Sequence, residues 1–200
     1  MRIAVTNLKG GTGKTTTSIH LALELAKRGR TLLIDSDPQQ SALHWSEDAA
    51  GWTLPTMALP VRDLNRRLPA LAEPYDHAVV DTPPGELAIV RSALLACELA
   101  VIPIPPSSMD FRQLRPTIEL IADLEQLNPD LRIRILLTRL RSGTRAGRDS
   151  RAILGELGLP VLATEIPLRE SLSLAYGRVP DEAQGYDLVL AELLSEQVAA

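Results

Sequence analysis

Residues 1–29, MRIAVTNLKGGTGKTTTSIHLALELAKRG, contain the stretch that decides the fold. Ile3 to Val5 is a short apolar run rich in β-branched residues, and Gly10, Gly11 and Gly13 follow closely. The next segment, SIHLALELAKRG, carries Ile19, Leu21, Leu23 and Leu25 as a long buried helix would. The order is strand, glycine-rich loop, helix, and it recurs along the chain. TLLID (31–35) predicts a second buried strand, and PQQSALHWSED a helix opened by Pro38, whose missing N–H is no loss in a first turn. HAVVD (77–81) predicts a strand, GELAIVRSALLA a helix, ELAVIPIP (98–105) a strand, and residues 110–127 a helix that carries Pro116. LRIRILLTRL (131–140) is the next strand, SRAILGELG a helix, PVLATEIP (160–167) a final strand and QGYDLVLAELLSEQVAA a closing helix. Residues 50–60 read as irregular with room for a short edge strand, and 181–185 as a loop. Continuous apolar strands alternating with helices predict an α/β fold, a mostly parallel twisted sheet with helices on both faces. Such sheets bind ligands at the carboxyl ends of their strands.

Two hundred residues at 45% apolar and 23% charged composition fit one soluble domain over 1–200. The lone Cys97 excludes an internal disulfide and reads as a buried small hydrophobe in a reducing cytosol. With His20, His44 and His77 scattered, a thiolate- or histidine-ligated metal site within one chain is excluded as well. His20, on the apolar first helix, reads as a packed core residue. No apolar run approaches the ~18 residues of a membrane span, and the N-terminus lacks a signal-peptide pattern, so the chain reads as neither secreted nor membrane-spanning. Net charge is −4, which by itself argues against a dedicated nucleic-acid binder. The distribution argues otherwise: Arg132, Arg134, Arg139, Arg141, Arg145, Arg148 and Arg151 stand against the single acid Asp149.

KGGTGKTT, Lys9 to Thr16, stands between the first strand and the first helix. It ends as the phosphate-loop pattern G-x-x-x-x-G-K-[ST] does, but Leu8 occupies the place of the leading glycine. It follows instead the variant K-G-G-x-G-K-[ST], which adds a second lysine, Lys9, at the entrance. Gly10, Gly11 and Gly13 let backbone N–H groups approach phosphate oxygens, and the helix from Lys14 directs its positive end at them. In such a loop Lys14 bridges the β and γ phosphates and Thr15 ligates magnesium. The chain carries eighteen arginines and only Lys9, Lys14 and Lys27 as lysines, so two compact ammonium groups are reserved for this loop. Asp35, Asp37 and Asp81 stand at or just past strand ends, where the inferred fold brings them near the loop. Magnesium with phosphates needs such oxygen ligands, usually through water. Strand-terminal aspartates also cap following helices, and for Asp37 before Pro38 both roles can coexist.

KGGTGKTT, with LLIDSDPQ (32–39) and VVDTPPG (79–85), resembles the deviant-Walker P-loop ATPases of the ParA/MinD superfamily, and DPQ points to the ParA branch; with the phosphate loop beginning at Lys9, the chain resembles the short, type Ib-like ParA. The resemblance implies a single ATPase domain without an N-terminal helix-turn-helix domain, with ATP and Mg2+ as cofactors. By it, Lys9, Gly10, Gly11, Thr12, Gly13, Lys14, Thr15 and Thr16 hold the nucleotide, and two subunits sandwich two nucleotides with Lys9 reaching the partner's phosphates. Lys9, Lys14 and Asp37 are then the catalytic set, Asp37 positioning or activating the attacking water. Thr15, Asp35 and Asp81 serve the magnesium, Asp81 as the Walker B residue. Many relatives carry an Asn after the strand matching ILLT, where this chain has Thr138 and Arg139, which leaves backbone contacts around Thr138, Arg139 and Pro167 for adenine.

The same resemblance implies an ATP-state homodimer that binds double-stranded DNA without sequence preference. A ParB-like partner or cargo adaptor stimulates its ATPase activity. The outcome is plasmid or chromosome partition in the cytoplasm, on the nucleoid and without a membrane. Arg141, Arg145, Arg148, Arg151 and Arg169 resemble the DNA footprint in chemistry, since arginine–phosphate contacts are salt-dependent and sequence-blind. A solvated helix face would use the same arginines. Aromatic residues are not interleaved, so stacking on single strands is not expected. ParA-like positioning of a protein cargo is a second reading. A metabolic ATP-dependent ligase of dethiobiotin-synthetase type is a third, against which Lys9 and DPQ argue. The missing cysteines exclude a nitrogenase-type iron protein, and the final helix, with Asp187, Glu192 and Glu196, has the wrong charge for a MinD-like membrane anchor.

Overall fold

The computed structural model describes residues 1–106, 115–116, 118–120, 122–123, 127–141 and 145–198. The helix expected over 110–127 lies largely outside them. The strands are β1 (Arg2–Val5), β2 (Thr31–Asp35), β3 (Thr56–Ala58), β4 (His77–Asp81), β5 (Leu99–Ile104) and β6 (Arg132–Leu137). They pair in the order β3-β2-β4-β1-β5-β6, every pair parallel. The helices are α1 (Lys14–Ala26), α2 (Ser41–Asp48), α3 (Leu64–Ala72), α4 (Leu87–Ala96), α5 (Arg145–Glu156), α6 (Glu170–Ser173) and α7 (Tyr186–Val198).

Alternation along each strand divides the core into two layers. Ile3, Val5, Leu33, Val79 and Val101 point to one face and pack with Ile19 and Leu25 of α1 and Leu190 and Leu193 of α7. Ala4, Ile34, Val80 and Ile102 point to the other and pack with Leu64 and Leu68 of α3 and Val90 and Leu94 of α4. Both faces are therefore dry, which is why these strands read as continuous apolar runs. Cys97 lies in the second layer, and burial pushes its thiol up to about 12.

Register positions the site. Asp81 is paired across β4 with Val5 of β1 and with Asp35 of β2, so three strands end at one level. The chain steps from β1 over β4 to β2 in one direction and from β4 over β1 to β5 in the other, which opens a crevice at the carboxyl end of β1 where the glycine loop begins.

Two local expectations are corrected. The final strand expected over 160–167 is reduced to two isolated parallel bridges, Val161 with Ile135 and Pro167 with Leu140. Between them the Ala163 and Thr164 amides donate to the Glu192 carboxylate on α7, at 2.6 and 2.9 Å, so no ladder forms with β6 there. The helix expected from Pro38 begins at Ser41 instead. Residues 37–40 form a turn in which Asp37 Oδ1 accepts the Gln39 amide and Gln40 adopts φ 53°. Helix α3, between β3 and β4, adds an element with no counterpart among those expected, with Leu64 and Leu68 as its buried residues.

Candidate nucleotide site at the glycine loop

The loop is built so that its backbone is held from outside. Asn7, buried past the end of β1, donates from Nδ2 to the Pro103 carbonyl (3.0 Å) and accepts the Lys9 amide on Oδ1 (3.0 Å). Gly11 and Gly13 adopt φ 71° and 93°, the left-handed region where a side chain is strained. Gly13 caps α1 in that conformation, and the Thr17 amide closes the first turn on its carbonyl (2.9 Å). Lys14 Nζ folds back onto the Lys9 carbonyl at 3.1 Å. Burial lowers the Lys14 ammonium below the ordinary lysine value, and the Asp81 and Asp37 carboxylates pull it back up.

Asp81 is buried at the end of β4. Its Oδ2 accepts the Thr15 hydroxyl at 2.8 Å and its Oδ1 the Ser18 hydroxyl at 2.9 Å. Thr15 and Ser18 are three residues apart on α1 and so share one face. That spacing was the available signal for Ser18, which sequence reasoning missed. Burial pushes Asp81 up to about 7, with the Thr15 hydrogen bond pulling it down, Asp35 raising it further, and Ser18 and Lys14 opposing. Thr15 and Asp81 form an oxygen-only donor set that fits a hard divalent cation. Among the described residues no group of three His, Cys, Asp or Glu side chains cages a metal ion by itself. The remaining ligands would come from phosphate and water, as is usual for magnesium.

The other two aspartates divide differently from the expectation. Asp37 lines the cleft with Lys14 and Thr15, where a reacting phosphate would lie. Asp35, expected in the magnesium shell, is fully buried and taken up by backbone. Its Oδ1 accepts the Asp37 amide (3.0 Å) and its Oδ2 the Ala42 (2.7 Å) and Leu43 (3.0 Å) amides. Asp35 therefore caps α2 and orients the turn that carries Asp37. Burial raises its pKa, and those three amides hold it down.

The cleft has a volume of about 470 Å³ and runs from Gly10–Thr16 to Thr138, Arg139, Pro167 and Leu168, with Tyr186 and Arg169 also in its wall. Thr138 and Pro167 thus line the same cleft as the glycine loop. Tyr186, which sequence reasoning assigned no role, shares a hydrogen bond with Thr17 (3.1 Å) and stacks on His20 with ring centroids 4.7 Å apart. His20 is a core residue as expected, kept neutral by burial that lowers it to about 4. Trp45 is buried, with its indole N–H on the Arg178 carbonyl (2.8 Å) and its ring 5.5 Å from Tyr176.

The arginines separate into two groups. Arg148 on α5 and Arg141 after β6 are exposed, and Arg145 opens α5. Arg151 is committed elsewhere: its Nε and Nη2 both donate to Glu165 Oε1, at 2.9 and 2.7 Å. Arg169 lies in the cleft wall and donates to Gln184 Oε1 at 2.9 Å, so it stands with the candidate nucleotide site and not with α5. Arg151 and Arg169 thus each hold a partner within the chain.

Residues 3–179 match the family described as the CobQ/CobB/MinD/ParA nucleotide binding domain. The chain belongs to that family. Among its relatives, the maintenance of carboxysome distribution protein A of Halothiobacillus neapolitanus is 35% identical over 172 residues, covering 84% of this chain and 79% of that protein. The chromosome-partitioning ATPase Soj of Thermus thermophilus is 32% identical over 216 residues, covering 87% and 84%. Cobyrinic acid a,c-diamide synthase of Mycobacterium smegmatis, solved with ADP and magnesium, shares the fold with a TM-score of 0.77 at 24% identity, over 98% of this chain and 94% of that one. Among the described residues, no helix is long and apolar enough to cross a membrane.

Proposed function

We propose that this chain is an ATP-dependent positioning ATPase that dimerises on ATP and magnesium, binds DNA without sequence preference in that state, and distributes a cargo. The observation that carries the reading is the cleft lined by Lys14, Thr15 and Asp37, with Asp81 hydrogen-bonded to Thr15 and Lys9 opening the glycine loop in the sequence. A biosynthetic phosphate loop needs only one lysine, whereas a lysine at the entrance suits phosphates on a second subunit. Lys14 neutralises the β and γ phosphates, Asp37 orients the attacking water, and Thr15 with Asp81 holds the magnesium. Magnesium, when bound, offsets the charge on the transferred phosphoryl group. Arg141, Arg145 and Arg148 supply phosphate contacts to duplex DNA. A ParB-like protein or a cargo adaptor stimulates hydrolysis and releases the DNA.

Two of three relatives named for carboxysome distribution, at 35% and 39% identity, stand above Soj at 33% and 32%, while the third stands at 28%; this favours a protein assembly as cargo, with a plasmid or chromosome as the alternative. The test is binding of arbitrary-sequence duplex DNA with no nucleotide, with ADP and with ATP plus magnesium, while mass is monitored. ATP-specific, salt-sensitive binding by a dimer is the expected result. A monomer in every nucleotide state would overturn the reading and favour a metabolic enzyme.

A further inference from the structure

The end of β6 is fastened to the glycine loop at two consecutive carbonyls. Arg139 Nη1 donates to the Gly11 carbonyl at 3.0 Å, and Thr138 Oγ1 donates to the Thr12 carbonyl at 3.3 Å. With Lys14, itself in the loop, on the Lys9 carbonyl and the Thr17 amide on the Gly13 carbonyl, four carbonyls of the loop are held, those of Gly11 and Thr12 by residues distant in the chain. A trans peptide points its C=O and N–H to opposite sides, so a held carbonyl fixes the direction of the next residue's N–H. The Gly11 carbonyl governs the Thr12 N–H and the Thr12 carbonyl governs the Gly13 N–H. Phosphate loops bind through such N–H groups, and glycines at φ 71° and 93° have the most freedom to turn away.

Arg139 itself sits at φ 57°, in the left-handed region whose strain costs a side-chain-bearing residue stability. The sequence accepts that cost at a position where glycine would relieve it, and the guanidinium it retains reaches Gly11.

We infer that Arg139 is a positioning residue of the phosphate loop: its guanidinium fixes the Gly11–Thr12 peptide plane so that the loop is preorganised for phosphate. This rests on the reading of the cleft as a nucleotide site and replaces the expectation that Arg139 serves adenine. The role belongs to the side chain, while the left-handed backbone is only where the side chain is launched from.

Three variants separate these contributions. Arg139→Ala removes the guanidinium and keeps the strain, Arg139→Gly removes both, and Arg139→Lys retains one N–H donor. Affinity for ATP and for inorganic tripolyphosphate, each with magnesium, is measured by calorimetry, and amide exchange at Thr12 and Gly13 is followed in the nucleotide-free protein. Arg139→Ala and Arg139→Gly are expected to weaken both ligands about tenfold, the loss of one charge-assisted hydrogen bond, and to speed exchange at Thr12 and Gly13. Arg139→Gly is expected to melt above Arg139→Ala without regaining affinity, and Arg139→Lys to recover part of it. Loss of ATP affinity with tripolyphosphate unchanged would assign Arg139 to the base and overturn the inference. So would weaker binding with unaltered exchange, which describes a direct ligand contact, or affinity that returns with stability in Arg139→Gly. Failure of the wild-type chain to bind ATP would instead overturn the nucleotide reading.

Discussion

Binding of ATP with magnesium is expected to drive a proton out of Asp81. In the nucleotide-free fold burial pushes this carboxyl up to about 7, so it is about half protonated at neutral pH. A divalent cation held beside Thr15 favours the charged form. The release on saturation is then ~0.5 proton per site at pH 7, ~0.9 at pH 6 and ~0.1 at pH 8. Calorimetric titration with ATP already saturated by magnesium, in buffers of different ionisation enthalpy, reads this number as the slope of observed heat against buffer enthalpy. Lys14, lowered by burial, contributes a background, which an Asp81→Asn protein carries alone. A wild-type release that does not fall through a midpoint near pH 7, or that equals the Asp81→Asn value at pH 6, would refute the reasoning. The same carboxyl sets a stability slope. The native state holds this proton more tightly than the unfolded chain, whose value is 3.8, so the nucleotide-free fold loses stability as pH rises from about 4 to about 7. Asp81→Asn should flatten that slope, which urea melts at pH 5 and pH 8 would reveal.

Asp35→Ala strips three backbone amides of their acceptor in a fully buried site and should destabilise the fold by ~3 kcal/mol in chemical denaturation. Unchanged stability with weakened magnesium affinity would return Asp35 to the metal shell. Tyr186→Phe loses the hydrogen bond to Thr17 and should cost ~1 kcal/mol by thermal melts, while its ring keeps its place on His20. Arg148→Ala should weaken DNA binding evenly across sequences and reduce the salt slope by about 1, whereas Arg151→Ala should leave DNA binding unchanged and cost less than ~1 kcal/mol for its half-exposed pair with Glu165. Equal effects of the two on DNA would restore the wider footprint.

The parallel sheet, the alternation of strand and helix, and the phosphate loop were legible in the chain because each rests on local physics. Runs such as HAVVD must bury both faces, and glycines at Gly11 and Gly13 are demanded by a left-handed backbone. The grouping of Lys14, Thr15 and Asp81 could likewise be read, since a strand end and a following helix start converge wherever a parallel sheet is wound. What partners each polar group takes was not legible. Asp35 looked like a metal ligand by its place in DSDPQ, yet the turn after it delivers three amides to its carboxylate. Arg151 and Arg169 looked like surface charge, yet Glu165 and Gln184 stand beside them. Glu192, on the last helix, takes the Ala163 and Thr164 amides, and residues 160–167 bond to the β6 segment only on either side of them. Hydrophobic periodicity and backbone torsion are encoded by near neighbours in the chain. Hydrogen-bond competition is decided between residues as far apart as Gly11 and Arg139, and only the packed sheet brings them within 3.0 Å.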